Sequence, residues 1–167
     1  FGKWMKVGFN QHFLIQGCEI INYLLEKSRV VSQSLNERNY HIFYQLIAGA
    51  DGPMKQRLYL RTPQEYHYLN QSECYRIQGV DDQQEFKEVV EAMKTLQFSN
   101  STMESMFKIV AGILLLGNIT FEPLPGNTDA AIVSQTSSET LHQCAELLGL
   151  DLDIFLFALQ EKRVQMG

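Results

Sequence analysis

Residues 23–46 read YLLEKSRVVSQSLNERNYHIFYQL, and the architecture of the chain turns on how this stretch divides. Its first third is apolar and then charged: Tyr23, Leu24 and Leu25 complete a β-rich run, and Glu26, Lys27 and Arg29 cluster directly behind it. Its last third carries Tyr40, Phe43, Tyr44 and Ile47 at i, i+3, i+4 and i+7, one apolar face of a helix. Ser34 and Glu37 have capping-box spacing, so the helix is expected over residues 36–48, ended by Gly49 and the Asp51-Gly52-Pro53 run. A strand therefore passes through a charged joint into a helix.

Working outward, the chain has two strand-like runs before this joint. Residues 4–9 and 13–25 flank the polar break Asn10-Gln11-His12 and fit a hairpin, with Gly17 marking a bulge or a close backbone approach. Downstream, short helical pieces are expected at Pro53 and at Thr62-Pro63, where Thr caps and Pro takes the first turn. A longer helix begins at Asp81 or Asp82, whose carboxylates suit the N-terminal end of the helix dipole. Ser99 or Ser101 caps the next, in which Met103, Met106, Phe107, Val110, Ile113, Leu114 and Leu116 give an apolar surface so wide that burial nearly all round is expected. A second hairpin joins residues 119–121 to 131–133 around a Pro- and Gly-containing loop. Helices over residues 139–148 and 152–160 come next, divided by Gly149, and residues 163–166 begin another strand. The fold class is α/β: an N-terminal hairpin belonging to a larger sheet, then a mainly helical subdomain with a small hairpin.

Composition narrows the function. The 167 residues include 14 Lys+Arg and 19 Asp+Glu, a net charge of −5 without a basic block, which argues against nucleic-acid binding. The longest apolar run, residues 109–116, falls well short of the ~20 residues of a membrane span. Cys18, Cys74 and Cys144 lack CxxC spacing and read as free, buried thiols of a reducing compartment. His12, His41, His67 and His142 are dispersed and match no metal-site spacing. Gly112 and Gly117 are spaced as in a phosphate loop but enclose only apolar residues, and Asn118-Ile119 stands where Lys and Ser/Thr are needed; helix packing accounts for them better. Glu26, Lys27 and Arg29 read either as a relay of ion pairs or as a solvated strand end, and Glu37 with His41 as a surface i, i+4 contact.

Three segments carry a resemblance. Residues 23–30, YLLEKSRV, and residues 37–46, ERNYHIFYQL, closely resemble signatures of myosin motor heads, and residues 114–121, LLLGNITF, are similar to a later segment of the same family. The resemblance extends over the whole chain as an internal slice of one motor domain, with residues 1–31 as the tail of switch I and transducer strands, and residues 32–167 as the upper subdomain beside the actin-binding cleft. The resemblance implies that Phe1, Gly2 and Lys3 edge the nucleotide site and that Glu26, Lys27, Ser28 and Arg29 belong to the transducer. It also implies that Glu122, Pro123, Leu124, Pro125, Gly126, Asn127, Thr128, Asp129 and Arg163 face actin. Residues 163–167 resemble the start of the actin-contacting cardiomyopathy loop.

The intact protein would then be an actin-activated ATP hydrolase using ATP and Mg²⁺, a cytoplasmic motor of the actin cytoskeleton. Light chains or calmodulin would bind parts not present here. The phosphate loop and the catalytic residues would lie outside these 167 residues, so the segment alone is expected to be inactive and to fold poorly. Two positions depart from the pattern. Phe13 stands in a turn where the family often has Gly, and the loop over residues 122–129 carries Glu122 and Asp129 but neither Lys nor Arg, so contact with acidic actin would be weak or differently arranged. The alternative is a non-enzymatic, myosin-like α/β interaction module without a nucleotide site; a complete small-molecule enzyme lacks a convergent catalytic set.

Overall fold

Strand β1 (Gly2–Phe9) turns back into β2 (Ile15–Tyr23), antiparallel, with Trp4 opposite Ile21 and Val7 opposite Cys18. The computed structural model describes residues 2–23 and 25–161. The register slips at Gly8/Phe9, where Gly8 faces Gly17 and Phe9 faces Ile15, so the irregularity falls beside the glycine expected to mark it. The turn is built by Asn10. Its Oδ1 accepts from the backbone N–H groups of His12 (2.8 Å) and Leu14 (3.0 Å), its carbonyl accepts from Phe13 N–H (3.0 Å), and its own N–H donates to Leu14 O (2.9 Å). That geometry is a three-residue loop whose last position is left-handed, a place suited to Gly, and Phe13 occupies it at φ +60°. Both faces of the hairpin are exposed: Trp4, Met5, Phe9, Ile15 and Ile20 are each more than half accessible. Two strands with no covered face are at best marginally stable in water.

The rest is a helical body: α1 (His41–Gly49), α2 (Gly52–Arg57), α3 (His67–Asn70), α4 (Asp82–Thr95), α5 (Asn100–Leu116), α6 (Ser138–Leu148) and α7 (Leu152–Gln160). Local caps set most of its boundaries. Asp51, Asp81, Ser99 and Asp151 each accept a backbone N–H from the first turn of α2, α4, α5 and α7, and Gly149 ends α6 at φ +64°. Thr62 and Glu65 close a capping box around the 3₁₀ turn Pro63–Glu65. The core is Phe43, Leu46 and Ile47 of α1 against Phe86 of α4, with Phe107, Ala111, Leu114 and Leu115 of α5 against Leu141, Cys144 and Leu147 of α6.

Several expectations need correction. The first helix begins at His41, not at residue 36, because Asn36 is left-handed (φ +64°) and Ser34 with Glu37 forms only a backbone turn, Glu37 N–H to Ser34 O at 3.0 Å. Helix α5 is buried on one side, while Met106 and Ile109 are exposed, 42 % and 50 %. Of the three thiols only Cys144 is buried, where burial pushes its pKa up to about 11; Cys18 is exposed. The second hairpin, β3 (Phe121–Leu124) and β4 (Asn127–Val133), is longer than expected. Pro125 and Gly126 (φ +83°) alone make the turn, so most of the anticipated loop is strand. The strand expected over residues 163–166 lies outside the described residues.

Candidate functional site

The charged joint after β2 folds into a knot. The backbone passes through a 3₁₀ turn, Lys27–Val30, which aims Arg29 back across the chain. Arg29 Nε donates to Glu26 Oε2 at 2.8 Å and Nη2 to Glu26 Oε1 at 3.2 Å, a two-pronged pair. Its Nη1 donates to Glu37 Oε2 (3.0 Å) and to the carbonyl of Arg38 (3.1 Å). One guanidinium thus binds the exit of the first hairpin to the approach of α1. The hydrogen bond from Arg29 holds the Glu26 carboxyl below the usual carboxylate range, and the same bond raises Arg29.

The second layer is buried. Asn39, 1 % exposed, donates through Nδ2 to the carbonyls of Val30 and Tyr68, each at 2.9 Å, and accepts at Oδ1 from Tyr40 N–H at 2.7 Å. Tyr40 hydroxyl donates to Glu26 O at 2.8 Å, and Tyr44 hydroxyl accepts from Asn39 N–H at 3.2 Å. Burial raises the Tyr44 phenol above its ordinary value. Arg38 lies over the Tyr44 ring, 3.8 Å from its centroid, and its Nη2 donates to Asp82 Oδ2 at 2.8 Å. The two side chains are 2 % and 15 % exposed. Removing one partner of such a pair typically costs about 3–5 kcal/mol, because the other charge stays buried. A cavity of about 480 Å³ opens at this knot between Arg29, Arg38, Tyr40 and His41.

A second polar anchor joins the later motif to the body. Asn118, behind α5, accepts from His67 N–H (2.8 Å) through Oδ1 and donates to Glu65 O (2.7 Å) through Nδ2. Gly112 and Gly117 serve packing: a Cβ on Gly112 would lie 2.7 Å from the Leu148 side chain, and one on Gly117 2.7 Å from the Tyr68 ring. The space a phosphate cradle requires is occupied by hydrocarbon.

The residues named from sequence separate into three places. Glu26 and Arg29 meet in the knot; Lys27 and Ser28 are exposed on the same 3₁₀ turn. Glu37, expected to face His41, pairs with Arg29 instead. Residues 122–129 lie on the β3–β4 hairpin, whose second strand packs on α7; Glu122, Pro123, Leu124, Pro125, Gly126 and Asn127 are exposed. Gly2 and Lys3 open β1, whereas Phe1 and Arg163 lie outside the described residues. Sequence reasoning misses Arg38, Asn39 and Asp82. By pattern Asp82 is only a helix-dipole residue, and nothing local announces a partner 44 positions away. Among the described residues no three His, Cys, Asp or Glu side chains converge where a metal could be held, and no helix is long and apolar enough to cross a membrane.

A helical body with two small antiparallel hairpins, one of them tied on by a polar knot, defines a mixed α/β segment whose site joins elements. The whole chain, residues 1–167, matches the myosin head (motor domain) family, and the protein belongs to it. It is 42 % identical over 167 residues to the myosin ID heavy chain of Dictyostelium discoideum, covering 100 % of this chain and 15 % of that one. It is 43 % identical over 155 residues to myosin-B/C of Toxoplasma gondii (90 % of this chain, 13 % of that one), and 38 % identical over 166 residues to myosin-1 of Arabidopsis thaliana (99 % and 14 %). The chain therefore spans about a seventh of the length of these curated relatives.

Proposed function

We propose that this segment is the coupling part of an actin-based, ATP-driven motor head, carrying the nucleotide state from the end of switch I to the actin-binding cleft. In this reading β1 and β2 are the last strands of a central transducer sheet, and the helical body is the upper subdomain beside the cleft. The observation that carries it is the Arg29 knot. Glu26 follows the strand, Glu37 and the Arg38 carbonyl precede α1, and one guanidinium holds all three. Arg38 then extends the connection to Asp82 at the start of α4. A movement that reaches Glu26 pulls on its charge-assisted bonds to Arg29 and through them on the approach to α1, the kind of contact by which a bistable element passes a switch-loop movement onward.

ATP hydrolysis needs phosphates cradled by backbone donors and Mg²⁺, with a positioned water. The described residues do not fit that site: the G-x-x-x-x-G spacing is packed with side chains, and no cluster holds a cation. The chemistry is assigned to parts of the head beyond these residues, and so are any light chains. The test is Arg29→Met in the complete head, beside Arg29→Lys, which keeps the charge but loses the planar fork. Actin activation of ATP turnover is expected to fall about tenfold in the Met variant and less in the Lys variant, with actin-free turnover changed less than threefold. A folded Met variant with unchanged actin activation overturns the coupling role. A complete head that neither binds nor hydrolyses ATP would favour the interaction-module reading.

A further inference from the structure

Between α2 and α3 the chain runs Arg61-Thr62-Pro63-Gln64-Glu65, a stretch the Arg29 knot does not use. Thr62 is exposed and extended (φ −73°, ψ 154°). Its Oγ1 donates to Glu65 Oε2 at 2.7 Å, and its backbone N–H donates to the same oxygen at 2.8 Å. The 3₁₀ turn that follows closes on that carboxylate. The Glu65 carbonyl accepts from Asn118 and the His67 N–H donates to Asn118, so two of the bonds fixing the end of α5 arise within five residues of Thr62.

We propose that Thr62 is a phosphorylation site for a proline-directed protein kinase, and that the phosphate releases residues 62–70 from Asn118. The sequence supplies the specificity: a hydroxyl residue followed by a proline, whose missing N–H suits a pocket without an acceptor at that position. The structure supplies access, because Thr62 stands on irregular chain and the turn after it is one 3₁₀ turn of three residues, a unit at the low end of local stability. In the transfer, Thr62 Oγ1 bonds to the γ-phosphorus of ATP, the bond to the ADP oxygen breaks, and the hydroxyl proton passes to the kinase's base.

The consequence comes from charge. The product carries about −1.5 to −2 at pH 7 and would sit where Oγ1 now touches the Glu65 carboxylate. That carboxylate is held below its ordinary pKa by the two Thr62 bonds, so it is ionised and repels the phosphate. Arg61 is adjacent, and its Nη2 donates to Gln143 Oε1 at a long 3.3 Å. It can turn to the phosphate while Glu65 is expelled. A cavity of about 510 Å³ lined by Arg61, Glu65, His67 and Asn118 leaves room for the exchange.

This inference does not depend on the motor reading, since its readouts are covalent and local. The complete head is treated with a proline-directed kinase and MgATP, beside a peptide of residues 57–68, and phosphate is located by mass spectrometry. Thr62 is expected to be modified in both, and modification of a Pro63→Ala head to fall at least tenfold. Hydrogen exchange at the amides of Glu65, Tyr66 and His67 is then expected to quicken at least tenfold in the phosphorylated head, and to stay at the wild-type rate in kinase-treated Thr62→Ala. An unmodified peptide overturns the specificity, a modified peptide with an unmodified head overturns the access, and a modified head with unchanged exchange overturns the release.

Discussion

Replacing Gly49 with alanine adds one methyl group where α1 crosses α4. The new Cβ would lie 2.4 Å from both Cβ and Cδ1 of Phe86 and 2.5 Å from its Cγ. Carbon atoms rest at about 3.5–4.0 Å, so the helices must part by about 1.1 Å or more. Phe86 cannot swing clear, because the clash includes its own Cβ and its ring is buried against Phe107, with centroids 5.2 Å apart. Overpacking of this kind costs about 1–3 kcal/mol, and here the higher end applies since the obstacle is fixed near the backbone. Alanine returns up to about 1 kcal/mol of helix propensity, leaving a net loss of about 2 kcal/mol, roughly a 30-fold change in local opening. The assay is native-state hydrogen exchange of the α1 and α4 amides in the complete head. Gly52→Ala is the internal control: it lies three residues on, at the start of α2, with no atom within 4 Å of its ideal Cβ. Gly49→Ala is expected to speed exchange about 30-fold, and Gly52→Ala to leave it within threefold. Equal protection in the two variants would refute the close approach of α1 and α4.

At the tip of the first hairpin, Phe13→Gly removes the side chain from a left-handed position, and Phe13→Val places a β-branched residue there. The Val variant is expected to be less stable than the Gly variant by about 1–2 kcal/mol, read from exchange of the β1–β2 amides; equal protection would show that the turn is not left-handed. Glu65, whose pKa is depressed by its Thr62 bonds, stabilises the 63–70 segment above its unfolded pKa of about 4.3. That contribution is lost as pH falls through the lower folded value, so amide chemical shifts at Thr62 and Glu65 should titrate below pH 4.3 in the wild type and not in Glu65→Gln. On the motor reading, converting Glu122 and Asp129 to Lys raises the association rate with acidic actin at low salt. The gain fades toward physiological salt while actin-free turnover stays constant; a flat salt series would remove residues 122–129 from the actin surface.

What the sequence discloses and what it hides differ by the range of the interaction. Thr62-x-x-Glu65 and Ser34-x-x-Glu37 share one spacing, yet only the first makes a capping box. The difference is not local: Arg29 takes the Glu37 carboxylate, and Asn36 turns left-handed just before it. Caps whose acceptor and donor lie within one turn, such as Asp81 and Ser99, are legible because no distant group competes for them. The Arg38–Asp82 pair is not, since it closes between residues that periodicity and capping treat separately. Phe13 stands out in the sequence, but its conformation is imposed by the Asn10 side chain, which folds the turn around itself.

The same range explains why two short strings carry so much weight. In the folded chain YLLEKSRV and ERNYHIFYQL are not two motifs but the two sides of one knot. Arg29 of the first holds Glu37 and the Arg38 carbonyl of the second, Asn39 of the second donates to Val30 of the first, and Tyr40 donates to Glu26. Each side therefore restricts the other: an aspartate at position 39 would lose both N–H donors and bury a charge among carbonyl oxygens, and a lysine at position 29 could not fork between Glu26 and Glu37. Because the partners of one string lie in the other, resemblance in both at their fixed separation is resemblance in a three-dimensional contact. That contact stands where the chain passes from a strand to a helix.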